Sequence, residues 1–135
     1  MSAFRDSQHA AEVLGGFFGE EGSVDDRIFA GSGIVVAYKL KDLNVRVVLD
    51  AREKPKPGGR GYDVYVNDPS APNPDVEIWF NADTFDKLYR GEITPMALMN
   101  DRETSLRGDL SVSMRLVPAM AKSIPHYKTY REKHG

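Results

Sequence analysis

The chain changes its hydrophobic period twice. Residues 4–19 place Phe4, Ala11, Leu14 and Phe18 near helical spacing, with Ala10 and Phe17 beside them, which predicts an amphipathic helix. Gly15 and Gly16 lie inside it. Each costs about 1 kcal/mol relative to alanine in a helix interior, so the helix is free to stop there and restart. Ser23 can cap a short second helix through Phe29, with Gly31 past its end.

The period then falls to two. "GIVVAYKL" at 33–40 and "DLNVRVVLD" at 42–50 read as strands. Only Lys41 to Leu43 lie between them, which predicts an antiparallel hairpin. Val45, Val47 and Leu49 face one way; Arg46, Val48 and Asp50 face the other. "REKPKPGGR" at 52–60 is a loop, since its prolines, glycines and cations cannot pack a core. "GYDVYVN" at 61–67 is a third strand, with Tyr62, Val64 and Val66 on one face. After the proline-rich "DPSAPNP", "DVEIWFN" at 75–81 is a fourth, with Val76, Ile78 and Phe80 inward.

The helical period returns at Asn81, which can cap a helix carrying Phe85, Leu88 and Tyr89 and closed by Gly91. Thr94 followed by Pro95 starts the next helix, "PMALMN", because proline at the first helical position gives up no needed donor. A short edge strand covers Glu103 to Arg107. Asp109 then caps "LSVSMRLVPAMAKSI", in which Leu110, Met114, Val117, Ala121 and Ile124 keep helical spacing. Pro118 should kink this helix, its ring opposing the Met114 carbonyl. A run of strands followed by helices predicts an α+β domain, with the helices gathered on one face of the sheet.

Four of the five methionines, Met96, Met99, Met114 and Met120, fall in these last two helices. Unbranched thioethers fill irregular gaps and re-pack easily. They suit an imperfect core, and equally a pliable wall around an apolar ligand.

With 135 residues the chain is read as one domain, large enough to bury a core without staples. The net charge of −2 points away from nucleic acid. The absence of cysteine removes disulfide scaffolds, thiolate metal sites and cysteine nucleophiles. No apolar run precedes the first charges, and no stretch reaches a membrane span. The last three residues, Lys133-His134-Gly135, are not a peroxisomal address. A cytoplasmic, bacterial protein is expected. Residues 1–32 set two arginines against six acids, and residues 122–135 set four cations against Glu132. Both read as solvated helix faces.

Catalytic chemistry is hard to find. His9 and Glu12 are three apart on a helix, and a metal or a general base could use such a pair; an exposed helical pair is the plainer reading. "AGSGIVV" at 30–36 precedes a strand rather than opening a helix, so it is no phosphate loop. No catalytic constellation and no cofactor are expected. The cone-shaped isomerase fold common at this length ends in long strands, whereas this chain ends in helix.

From Asn81 onward, "NADTFDKLYRGEITPMALMNDRETSLRGDLSVSMRL" resembles the sterol carrier protein 2 family of lipid carriers. The matching series is Asn81, Phe85, Gly91, Pro95 and Gly108-Asp109, entered from the alternating strand "DVEIWF". The likeness extends over residues 24–123 and is most specific from 76 to 117. "NDRETS" stands where the family usually has a glycine and a lysine, and the basic, aromatic tail 124–135 has no counterpart. The resemblance implies a five-stranded mixed, largely antiparallel sheet with helices on one face and an apolar tunnel between the layers. The sheet would give the tunnel Val36, Tyr38, Val47, Ile78 and Phe80. The helices would give Phe85, Leu88, Met96, Met99, Met114, Val117 and Met120. The implied function is non-catalytic binding or transfer of an acyl chain, sterol or similar lipid. An accessory or dimerisation subunit with a filled core is the alternative. Arg90, Arg102 and Arg107 are candidates to meet a lipid head at the portal.

The other sheet face would carry Val48, Tyr65 and Trp79. Exposed apolar patches of that kind usually mark contacts. A homodimer through this outer face, or cover from the tail residues Ile124, Tyr127 and Tyr130, is expected. Transient membrane contact through Lys128, Arg131 and Lys133 or through the first helix would complement a carrier.

Overall fold

The computed structural model describes residues 3–19, 33–52 and 62–134. In chain order the elements are α1 (Ser7–Gly19), β1 (Val35–Leu40), β2 (Val45–Asp50), β3 (Asp63–Val66), β4 (Val76–Phe80), α2 (Ala82–Tyr89), α3 (Pro95–Met99), β5 (Ser105–Gly108) and α4 (Leu110–His134). The expected helix at 23–29 and most of the loop at 52–60 lie outside the described residues.

The strands form one sheet in the order β3-β2-β1-β4-β5. β1 pairs parallel with β4, and the other neighbours are antiparallel. This is the mixed α+β sheet expected. The β1–β2 hairpin turns over Lys41–Asn44 and pairs Leu40 with Val45, so residues 42–44 belong to the turn rather than to the second strand. Asn44 takes the turn's left-handed position at φ 54, which asparagine tolerates better than most residues. Its side chain accepts from Lys39 Nζ at 2.6 Å.

The sheet's alternation sorts its faces as the sequence indicates. Val36, Tyr38, Leu40, Val45, Val47, Leu49, Ile78 and Phe80 join α1, α2 and parts of α3 and α4 in one buried core. On the opposite face Val35, Ala37 and Val48 form a smaller cluster packed by Tyr65 and Ala71. The chain itself covers this second face. Residues 68–74 must cross from β3 at the sheet edge to β4 beyond β1, and Ala71 lands on the cluster in passing. Asp75 closes the crossing, its Oδ2 accepting from the Val35 N–H at 2.8 Å. The tail does not reach that face. Tyr127 and Tyr130 pack with the helices instead, and Tyr65 and Trp79 stay half-buried on the outer face.

Two helices run further than the local signals allow. α1 opens on Asp6, whose Oδ1 accepts from the His9 N–H at 2.8 Å, and it continues unbroken through Gly15 and Gly16. A Cβ at Gly16 would overlap the Tyr130 hydroxyl, so close approach of α4 offsets the lost propensity. α4 opens on Asp109, which accepts from the Ser111 N–H at 2.8 Å and from its hydroxyl at 2.7 Å. It runs through both Pro118 and Pro125 to His134, past the expected end at Ile124. Each proline removes one N–H, but the packing of Tyr127 and Arg131 beyond them holds the helix in place. At Asn81 the position is right and the means differ. Its side chain makes no capping bond, and Asp42 Oδ1 takes the Ala82 N–H at 2.9 Å.

Candidate functional site

The core between sheet and helices has two regions of different character. One is an aromatic cluster. Tyr38 is at mid-strand in β1, level with Val47 on β2 and Ile78 on β4. Its ring centroid is 5.9 Å from Phe18, 6.0 Å from Phe80, 5.9 Å from Phe85 and 6.1 Å from Tyr89. Phe85 and Tyr89, one helical turn apart on α2, stack at 4.6 Å. Phe17 and Tyr127 close the group edge-on at 5.1 Å. Offset and edge-to-face spacings like these are the favourable ones.

Polar groups within this region are few. The Tyr89 hydroxyl donates to the Tyr38 hydroxyl at 3.0 Å, and the Tyr62 hydroxyl donates to the Phe18 carbonyl at 2.7 Å. Burial pushes Tyr38 up to about 12 and Tyr89 well above the ordinary phenol value. Beside the cluster, Asp86 accepts from the Tyr127 hydroxyl at 2.7 Å, from Arg131 Nη1 at 3.0 Å and from Arg90 Nε at 2.8 Å. Arg131 also donates to the Ala3 carbonyl at 2.6 Å and lies over the Phe4 ring. Arg131 is buried, not part of a solvated tail. Burial, reinforced by the Asp86 charge, raises the Tyr127 hydroxyl well above the usual range.

The other region is aliphatic, and its side chains are slightly exposed. Ile78, Leu98 and Leu116 are each 6% exposed and Met120 8%. On the same two helices, α3 and α4, Leu110, Met99, Met114 and Met96 are 47%, 56%, 55% and 75% exposed. Met96 and Met99 are three apart on α3, and Leu110 and Met114 four apart on α4, so each pair shares a helix face.

Of the expected wall residues, Val36, Tyr38, Val47, Ile78, Phe80, Phe85, Leu88 and Met120 meet in the interior, and Val117 is half-buried. Met96, Met99 and Met114 are on the surface rather than in the wall. Of the arginines expected at a portal, Arg90 is held by Asp86, and Arg107 lies over Trp79 at 4.0 Å on the far face of the sheet. Arg102 is exposed. Phe17, Phe18 and Tyr89 read as helix residues and Tyr127 as cover for the outer sheet face, so none of them, nor Leu98 or Leu116, enters the expected wall. Tyr89 had a signal, since it follows Phe85 by four on a helix. Tyr127 had none, because Asp86, Phe85 and Tyr89 lie on another helix and Phe17 near the other end of the chain.

His9 is not the exposed partner of Glu12. It is buried, its Nδ1 accepts from the Arg5 N–H at 3.0 Å, and Glu12 takes Gln8 instead. Among the described residues no group of three His, Asp or Glu side chains could hold a metal ion. Within the same residues no helix is long and apolar enough to cross a membrane.

This sheet, with its helices on one face, is the architecture of a lipid-carrier class. The profile of the SCP-2 sterol transfer family matches residues 16–121, and the chain belongs to that family. By sequence alone no curated protein matches. Among solved structures, sterol carrier protein 2 from Yarrowia lipolytica, in its apo form, is similar at TM-score 0.59 and 13% identity, covering 87% of this chain and 91% of that one. Palmitated SCP2L2 from Aedes aegypti is similar at TM-score 0.55 and 14% identity, covering 89% and 95%. The sec-alkylsulfatase Pisa1 from Pseudomonas sp. is similar at TM-score 0.56 and 15% identity; the likeness covers 72% of this chain and 14% of that enzyme. At these identities the likeness is one of fold. The family match leaves out Ala3–Gly15 and residues 122–134, the two stretches that Arg131 ties together.

Proposed function

We propose that the chain is a non-catalytic carrier of an apolar lipid, held between sheet and helices and admitted at the methionine rim. The observation that carries this reading is the gradient of burial across one interior. Burial is complete in the aromatic cluster and slightly relaxed at Ile78, Leu98, Leu116 and Met120, while α3 and α4 carry four large apolar side chains in solvent. A monomer gains nothing by leaving such side chains in water unless something apolar arrives there. Methionine's flexible thioether suits a rim that must fit chains of several shapes. Membership of a sterol transfer family points to the same ligand class. The rim also gives the carrier a surface for transient contact with a membrane leaflet.

The test is uptake of a fluorescent fatty-acyl probe by the intact protein and by a Met96→Glu/Met99→Glu double variant. Both positions are exposed, so the unfolding free energy should change by less than about 0.5 kcal/mol. Uptake should slow at least several-fold. Equal uptake rates in the two proteins would contradict access at this rim.

A further inference from the structure

Tyr38 and Tyr89 own two hydroxyl protons and share one hydrogen bond. Tyr89 donates to Tyr38 at 3.0 Å, and among the described residues no acceptor takes the Tyr38 proton. Tyr38 is 3% exposed and Tyr89 2%. The other hydroxyls of the cluster are committed, Tyr62 to the Phe18 carbonyl and Tyr127 to Asp86. Tyr38's remaining neighbours, among them Phe18, Phe80, Val47 and Ile78, are hydrocarbon. A buried donor without an acceptor carries its full desolvation penalty, so a group that brings an acceptor to this point gains more than one that brings only carbon.

We propose that Tyr38 is the anchor for the oxygen of a neutral lipid, a ketone, ester or alcohol, bound head-inward with its hydrocarbon running out past Ile78 and Met120 to the methionine rim. This rests on the carrier reading. The head is neutral because, among the described residues, nothing positive faces the pair. Arg90 and Arg131 are turned to Asp86, and Arg107 is on the far side of the sheet. A carboxylate there would be stripped of water with no counter-charge. Both phenols stay protonated at working pH, since burial raises each above its ordinary value, so the site offers a donor and no anion. A site built around one donor rejects the analogue that lacks the acceptor.

The experiment measures binding of 2-undecanone, undecane and undecanoate, matched in length, by displacement of a fluorescent acyl probe at neutral pH. The ketone carries a carbon-13 carbonyl, and its stretching frequency is read in the bound state. The wild type should bind the ketone at least about ten-fold more tightly than the alkane or the carboxylate, with the carbonyl frequency lowered. Tyr38→Phe should weaken the ketone about ten-fold, leave the alkane unchanged and restore the frequency. Tyr89→Phe should keep the lowered frequency. An unshifted carbonyl in the wild type, which needs no variant to fold, would overturn the anchor. So would a ketone affinity indifferent to Tyr38→Phe, or tightest binding of undecanoate. A wild type that binds none of the three would instead remove the carrier reading, and the anchor with it.

Discussion

Asp86 joins two helices that are far apart in sequence. It sits on α2 and takes hydrogen bonds from Arg90 one turn away and from Tyr127 and Arg131 on α4. A buried ion pair adds little over a well-packed apolar pair, but removing one partner strands the other charge. Asp86→Asn should therefore cost about 3 kcal/mol in denaturant unfolding. Tyr127→Phe, which deletes one bond to a charged acceptor, should cost about 1.5 kcal/mol. If Tyr127→Phe proved the more costly of the two, the phenol hydroxyl rather than the carboxylate would organise this corner. Only the Asp86–Arg90 pair is legible in the sequence, because its spacing of four is a helical one. Arg131 stands in a run of tail cations, and nothing local shows that its guanidinium turns inward to a carboxylate on another helix.

At the scale of elements, the junction of β5 and α4 turns on Gly108. It has φ +108, and a Cβ there would overlap the Asp75 carbonyl of the neighbouring strand. Gly108→Ala should cost about 3 kcal/mol from left-handed strain and the clash together; a loss below about 1 kcal/mol would show that the strand edge yields. Most elements were readable from period and caps: four strands, α2, and α3 with its Thr94 cap at 3.1 Å. The misreadings share one cause. The stop at Gly15-Gly16 and the end at Ile124 are each outweighed by a contact that sequence period does not report: Tyr130 against Gly16, and Tyr127 seated among Phe17, Phe85 and Tyr89. Exposed methionines mislead in the opposite direction. A helical stripe of Met96 and Met99 reads as core, whereas only the fold shows that Leu98 between them is the buried one.

For the whole molecule, the fused aromatic core sets the response to alkali. Tyr38, Tyr89 and Tyr127 all have phenol values raised by burial. The folded state therefore binds protons more tightly than the unfolded chain. The associated stability is complete below pH 10 and is lost as pH rises from 10 through about 12, the value for Tyr38. Tyrosinate absorbance should rise late and together with loss of helix; an early, fully reversible titration of all six tyrosines would contradict a sealed core. The carrier reading depends on whether the aliphatic region of this core receives a ligand. The direct measurement is mass spectrometry of the purified protein, native and then denatured. It should show an adduct of lipid mass that is lost on unfolding and identified in the extract as a neutral, oxygen-bearing long-chain molecule. A bare mass in the native state, in a protein that also takes up no added ketone or fatty-acyl probe, would mean that the interior is filled. The same fold would then serve as an accessory subunit.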